Sequence, residues 1–160
     1  MAETVYTKNA PDAIGPYSQA KKVGGLIFTS GQIAIDPTVG DVTAKTIEEQ
    51  TEQVCKNLAA VLEAAGSSLD KAVKTVCFLN EMGHFAAFNG VYGKYFTSKP
   101  ARSCVAVKQL PPDFPAISTT FSSTASAFWF ITEADSPISC IVAESSSVTA
   151  DKSAALSFEV

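Results

Sequence analysis

One arginine inside a strand-like segment is the first feature of this sequence that could do chemistry. The segment "KPARSCVAVKQLP" runs from Lys99 to Pro111, and its centre, 103–107, is small, apolar and partly β-branched, which is typical of a buried strand. Arg102 lies at the start of that centre. A buried guanidinium is seldom left unpaired, because desolvating a single charge costs several kcal/mol. Arg102 therefore needs a carboxylate, either from the protein or from a ligand.

Two interpretations of Arg102 stay open at this point. In the first, it is a surface residue at a strand edge that forms a salt bridge with a glutamate or aspartate of the protein. In the second, it binds the carboxylate of a small ligand, because its neighbours in the strand are small and apolar and offer no acidic partner. Hydrogen bonds to charged groups contribute about 1.5–3 kcal/mol, which is enough to explain the placement.

Other residues could contribute to such a site, although each also has a structural explanation. Cys104 follows the arginine by two positions, but His84 is the only histidine, so a Cys/His nucleophile is disfavoured and a packing role or a backbone contact with a ligand is the better interpretation. Tyr17, in the Pro/Gly loop "GPYSQA", is either a loop anchor or a ligand-facing donor. Ser30 and Gly31 could present backbone N–H groups to an anion.

Composition limits the remaining possibilities. The chain has 160 residues, is 46% hydrophobic and carries a formal net charge of −4 without any Lys/Arg run, which indicates one core and argues against nucleic acid or anionic lipid as a partner. Its N-terminus has neither the charge nor the apolar run of a secretory signal, and no segment is long and apolar enough to span a membrane. We expect a cytoplasmic protein, with a mitochondrial location as the alternative.

The four cysteines, which lack C-x-x-C spacing, predict free thiols and no metal site: Cys55, Cys77, Cys104 and Cys140.

The elements that must position these residues alternate between strand and helix. After a short strand near 4–7 and an ordered loop at 9–20, two strand-like runs, 17–23 and 26–35, flank Gly24-Gly25 as in a tight hairpin. Gly31 indicates a bulge in the second run, and residues 36–41 form a turn.

Two helices follow the hairpin. Apolar spacing predicts the first from Thr46 to Ala65, with a Thr46/Glu49 capping box and Gly66 after its end. A strand is predicted at 71–80, a second helix at 83–96, and then the arginine strand. This order predicts an α/β (α+β) fold, a mixed sheet with two helices on one face.

The other sheet face is predicted to be covered by self-association. The strand at 72–79 is largely apolar on both faces, and two helices can cover only one of them. If Val105 and Val107 face the helices, Arg102 points to the uncovered face, toward a neighbouring subunit. Residues 1–112 would then form the domain, while 113–160, rich in Ser and Thr and without a trusted pattern, would be a loosely packed tail.

Several motifs together resemble the Rid (YjgF-type) family, specifically its RidA subgroup of 2-iminobutanoate/2-iminopropanoate deaminases. They are "NAPDAIGPYSQA", "FTSGQIAID", "VLEAAG", "KTVCFLNEM" and "KPARSCVAVKQLP", and the similarity runs from about Val5 to Pro111. The resemblance implies a chorismate-mutase-like fold, a homotrimer and sites between subunits. It also implies that Arg102 binds the substrate carboxylate, with the backbone of Ser103 and Cys104 in support, and that a cleft is lined by four more residues: Tyr17, Ser30, Gly31 and Asn89.

The implied reaction is hydrolysis of 2-aminoacrylate or 2-aminocrotonate, as their imines, to a 2-oxoacid and ammonia, without a cofactor. Family members end on a strand of the type "VEIEAIA", whose first glutamate positions the water. Here only "AALSFEV" resembles it, which makes Glu159 the candidate catalytic acid and 155–160 a partial last strand.

The alternative is a non-catalytic trimeric protein that binds small carboxylates or has a regulatory role. Ribonuclease activity, credited to some relatives, is disfavoured by the acidic charge.

Overall fold

The computed structural model describes residues 1–108 and, for its backbone, the strand at 127–133. Six strands and two α-helices alternate along this part of the chain, with single-turn 3₁₀ helices at Leu69–Lys71 and Met82–His84. The strands and helices are β1 (Glu3–Val5), β2 (Ala20–Val23), β3 (Leu26–Gln32), α1 (Ile47–Ala64), β4 (Ala72–Leu79), α2 (Phe85–Tyr95), β5 (Ala101–Ala106) and β6 (Ala127–Glu133).

The strands form one mixed sheet in the order β1-β2-β3-β6-β4-β5. Only β4 and β5 run parallel, and α2 provides the crossover between them. Both helices pack on the same face of the sheet, where Val54 and Leu58 of α1 and Phe88 of α2 share one buried cluster with Leu79 of β4. The predicted fold class is therefore confirmed.

The position of β6 was not predicted. The segment was expected to belong to a loosely packed tail outside the domain, yet this strand lies in the middle of the sheet and pairs antiparallel with both β3 and β4. The rest of the expected tail, including the proposed partial strand at 155–160, Glu159 and Cys140, lies outside the described residues.

The hairpin and the first helix follow the predictions closely. Gly24 and Gly25, with φ of 58° and 79°, form the two-residue turn that joins Val23 to its partner Leu26. The register of β3 against β6 shifts between Thr29 and Gln32, which confirms the bulge at Gly31. Thr46 and Glu49 form the predicted capping box at the start of α1.

Two buried clusters join the helices to the sheet. One lies between α1 and the β1-β2-β3 side and includes Ile27, Val61 and Leu62, each fully buried. The other, around Leu58, Cys77 and Phe88, lies beneath both helices. Among the described residues, no helix combines the length and apolar character needed to cross a bilayer.

Candidate functional site

Arg102 points to the helix-covered face of the sheet, so the predicted orientation was wrong. Arg102 is paired with Thr75 in the parallel ladder, and Thr75 is fully buried beneath α2. Paired residues of neighbouring strands point to the same side, so Val105 lies on the open face, where it is 45% exposed. The prediction assumed that the valines pack under the helices. Instead, α2 presents aromatic rings to Arg102.

That partner is a group of three aromatic rings on α2, which we call the aromatic platform: Phe85, Phe88 and Tyr92. The guanidinium carbon of Arg102 lies 5.4 Å, 5.8 Å and 4.7 Å from their respective ring centroids. A guanidinium over such ring faces is attracted by their electron density. These aromatic residues were not predicted as part of the site; their recurrence at three- and four-residue spacing was the available signal for a shared face.

An amide completes the environment of Arg102. Its Nη1 donates a hydrogen bond of 2.7 Å to Oδ1 of the exposed Asn89, which confirms that these two predicted site residues lie together. Among residues 1–108, no acidic side chain forms a salt bridge with Arg102. Its positive charge is therefore solvated by ring faces and an amide rather than neutralised by a described carboxylate.

Ser103 and Cys104 diverge from each other across the strand. Cys104 shares the helix-covered face with Arg102, and burial raises the pKa of its thiol while the guanidinium opposes the rise. A thiol with a raised pKa is a poor nucleophile at neutral pH, in agreement with the packing interpretation. The side chain of Ser103 instead lies on the open face, where its Oγ accepts a 2.9 Å hydrogen bond from Nζ of Lys74.

The loop that carries Tyr17 is held in place by Gln19. The Gln19 side chain is almost completely buried and bonds the backbone of the preceding loop, at Thr7, Ala10 and Pro11. This anchoring leaves Tyr17 half exposed, at 50%, beside an open cleft of about 450 Å³. Gln19 was not predicted as a site residue, and its only signal in the sequence was its place in the motif "GPYSQA".

Ser30 belongs to the same region as Tyr17. Its N–H donates to the carbonyl of Gln19 at 2.9 Å and its Oγ donates to the carbonyl of Ser18 at 2.6 Å. The expectation that the Ser30 N–H could donate a hydrogen bond to an anion is therefore wrong, because that N–H already donates to a protein carbonyl. Gly31 lies in the bulge that follows.

The predicted site residues thus form two groups that one chain does not bring together. The first group, Tyr17, Ser30 and Gly31, belongs to β3 and to the loop before β2; the second, Asn89, Arg102 and Cys104, belongs to α2 and β5. Two strands, β6 and β4, lie between β3 and β5, so the groups are about 14 Å apart at a strand spacing of about 4.8 Å. Ser30 follows the buried Thr29 in β3 and therefore points to the other, open face of the sheet, whereas Arg102 lies on the helix-covered face. A small ligand that touches both groups would need two copies of the chain.

Comparisons with known proteins agree on the family. Residues 7–116 match the family described as Endoribonuclease L-PSP. A RutC family protein of Pyrococcus horikoshii is 50% identical over 71% of this chain and 90% of its own length. The crystal structure of RidA from an Antarctic Psychrobacter superposes with a TM-score of 0.72 at 34% identity, covering 82% of this chain and 98% of the other.

A structure with a ligand is also similar. Escherichia coli TdcF, solved with bound serine, has a TM-score of 0.72 at 32% identity over 82% of this chain and 98% of its own. The Rid-type resemblance and the chorismate-mutase-like fold that it implied are both confirmed by these relatives. The chain belongs to the Endoribonuclease L-PSP family, which includes the Rid and RutC proteins.

Proposed function

We propose that this protein hydrolyses reactive 2-imino acids, formed from 2-aminoacrylate and 2-aminocrotonate, to 2-oxoacids and ammonia. The observation that carries the proposal is the state of Arg102: a guanidinium oriented by Asn89 and three ring faces, with no acidic partner among the described residues. Such a guanidinium can donate two charge-assisted hydrogen bonds to the carboxylate of a ligand. The bound serine of TdcF, which also has a carboxylate beside an amino group, supports this substrate class.

The site would be completed between subunits of a homotrimer. Arg102 and Asn89 of one copy would bind the carboxylate, with the backbone at Ser103 and Cys104 in support. Tyr17 and the Ser30-Gly31 bulge of a neighbouring copy would cover the substrate. This arrangement accounts for the separation of the two groups within one chain. The open sheet face, which exposes Val105 and half-buries Phe78, is the surface available for the contact.

The chemistry requires a water that attacks the imine carbon and a group that handles its proton. We propose Glu159 as the acid that positions this water, by its resemblance to the glutamate of the family's last strand. Glu133, at the end of β6, is the matched comparison because it closes a strand of the described sheet. Ammonia formation should fall in Glu159→Gln and persist in Glu133→Gln; the reverse result would transfer the role to Glu133.

The direct test measures 2-oxoacid and ammonia release from enzymatically generated 2-aminoacrylate. The wild type should accelerate the reaction, and Arg102→Ala should lower kcat/KM by about a hundredfold, because truncating one partner of a charge pair costs several kcal/mol. Arg102→Lys should recover only part, since lysine lacks the bidentate fork. Cys104→Ser and the control Lys108→Ala should keep wild-type activity. Equal activity of the wild type and Arg102→Ala would refute the role of Arg102.

A non-catalytic carboxylate-binding protein is the second candidate, favoured by the lack of an acidic residue beside Arg102 in the described part of the chain. Calorimetry with 2-oxobutanoate separates the two functions. Binding that depends on Arg102, without acceleration of imine hydrolysis, would establish the second candidate. Ribonuclease activity is not expected, because the net charge of −4 disfavours contact with phosphates.

A further inference from the structure

Tyr92 connects the guanidinium of Arg102 to the buried interior of the protein. Its side chain is only 6% exposed, and its hydroxyl shares a 2.8 Å hydrogen bond with Oγ1 of Thr75, which is fully buried. Thr75 is the residue paired with Arg102 across the β4–β5 ladder. Tyr92 therefore contacts both members of one ladder pair: its hydroxyl bonds Thr75 and its ring lies against the guanidinium of Arg102.

The other contacts of Tyr92 restrict the orientation of its ring. Phe96 stacks on it with ring centroids 4.4 Å apart and an interplanar angle of 26°, and Phe88 contacts it at 5.5 Å. A hydroxyl bonded at one end and ring contacts along the body leave the side chain one favourable orientation. The guanidinium of Arg102 lies closer to this ring than to either of the other two rings of the platform.

We infer that Tyr92 and Thr75 are a positioning pair for Arg102: their hydrogen bond orients the Tyr92 ring, and the ring holds the guanidinium ready for a carboxylate. The inference rests on the proposed carboxylate-binding function of Arg102. A flexible arginine side chain loses rotamer freedom when it binds a ligand, and a side chain held in advance loses less. The pair would therefore act on affinity through Arg102, without touching the substrate.

The chain allows a direct observation of this effect because Arg102 is its only arginine. A ¹H–¹⁵N spectrum tuned to arginine side chains should show one Nε–Hε signal, displaced by the nearby aromatic rings. Tyr92→Phe and Thr75→Val each remove the hydrogen bond while keeping a side chain of similar shape. Both should shift and broaden this signal, and the double variant should match the single variants, because one shared interaction is lost in all three.

Affinity should change in parallel. Titration with 2-oxobutanoate should show the dissociation constant rising roughly three- to tenfold in each of the three variants, the size expected from weakening a cation–π contact. In the deaminase assay the increase should appear in KM rather than in kcat. Tyr95→Phe, on the same helix, and Thr51→Val, a fully buried threonine that bonds the Ile47 carbonyl, are matched controls and should leave the signal and the affinity unchanged.

The outcomes separate this inference from the proposed function. A wild-type protein that neither binds 2-oxobutanoate nor hydrolyses imines would refute the function, while the Arg102 signal still tests the positioning. An Nε–Hε signal that is the same in the wild type, Tyr92→Phe and Thr75→Val would overturn the inference. Additive effects in the double variant would overturn it as well, because they would show that the two hydroxyls act separately.

Discussion

At the scale of single residues, the buried thiols connect the core to the pH dependence of stability. Burial raises the pKa of Cys77 to about 12, and it raises the pKa of Cys55 in the same direction. In the unfolded chain a cysteine ionises near pH 8.5. The protonated thiol therefore contributes its full stability below about pH 8.5, and that contribution is lost as the pH rises toward the folded pKa.

We predict that the free energy of unfolding falls between pH 9 and 11 and that Cys77→Ala reduces the slope. Each thiol that ionises only in the unfolded state contributes a slope of up to about 1.4 kcal/mol per pH unit. Urea unfolding at several pH values measures it. Tyrosine and lysine side chains titrate in the same interval, so the informative quantity is the difference between the two proteins. Identical slopes would show that Cys77 ionises as easily in the folded state as in the unfolded chain.

Gln19 is the residue on which the Tyr17 loop depends. We predict that Gln19→Leu lowers the free energy of unfolding by about 2–4 kcal/mol, because the side chain makes several hydrogen bonds to loop backbone that would lose its partner. Denaturant unfolding measures the loss. Gln53→Leu, which gives up a side-chain hydrogen bond to Asn57, should cost clearly less. Equal losses would contradict the special role of the loop anchor.

The sequence motifs gave the candidate site residues but did not predict which way their side chains face. Alternation places Arg102 and Val105 on opposite sides of β5, yet it does not identify the side that meets the helices. The choice depends on α2, whose aromatic residues follow β4 in the chain and reach across to β5 only in the folded sheet. Asn89 was correctly associated with Arg102 through the family resemblance, whereas the tertiary contacts of Tyr92 and Gln19 cannot be derived from their spacing or motif alone.

At the scale of elements, the ends of α1 were predictable because their signals are local. Thr46 caps the helix, and Gly66, with φ of 81°, follows its last turn. Lys22 of β2 also donates a 3.1 Å hydrogen bond from Nζ to the carbonyl of Ala65 at this end. A cation beside the final carbonyls complements the negative end of the helix dipole.

Two glycine substitutions should therefore have opposite effects. We predict that Gly66→Ala lowers the free energy of unfolding by about 1–2 kcal/mol, because alanine is strained at a left-handed φ. Gly93→Ala, inside α2, should raise it by about 0.5–1 kcal/mol, because an added Cβ meets no atom within 4 Å and glycine is a poor helix former. Thermal or urea unfolding of both variants provides the comparison. Two changes of the same sign would refute this account.

β6 is the element that sequence reasoning could not find. The residues before it, 109–126, intervene between β5 and the strand, and the apolar run at 127–131 has no period that separates a strand from a buried helix segment. Its place between β3 and β4 is fixed by long-range pairing on both edges. Such pairing depends on two partners far away in the chain, which a local pattern does not contain.

At the scale of the whole molecule, the open sheet face should mediate assembly. Val105 is 45% exposed and lies beside the partly buried Phe78 of β4. We predict that Val105→Asp converts the proposed trimer to smaller species and abolishes the proposed deaminase activity, because it places a charge in an apolar contact. Val39→Asp, at a 64% exposed valine in the turn after β3, is the control and should remain trimeric. Light scattering that gives the wild type a monomer mass would contradict the proposed assembly.

Complementation tests whether the site is shared between chains. We predict that Tyr17→Ala and Arg102→Ala each lose most of the activity and that a mixture, unfolded and refolded together, recovers part of it. Mixed trimers would contain some clefts with an intact Tyr17 from one chain and an intact Arg102 from the other. The doubly substituted chain, refolded with either single variant, is the control. Failure to recover activity in confirmed mixed trimers would place both residues in the site of a single chain.

The central position of β6 also has a consequence for the order in which the protein folds. During synthesis, β1 to β3 with α1, and later β4, α2 and β5, leave the ribosome before the strand that joins them. Until residues 127–133 are available, β3 and β4 each have an unpaired edge, which is a template for pairing with another chain. Closing the sheet requires contacts between residues about a hundred positions apart, from β3 to β6, and such non-local contacts slow folding. The nascent chain is therefore most exposed to aggregation just before its last described strand is made.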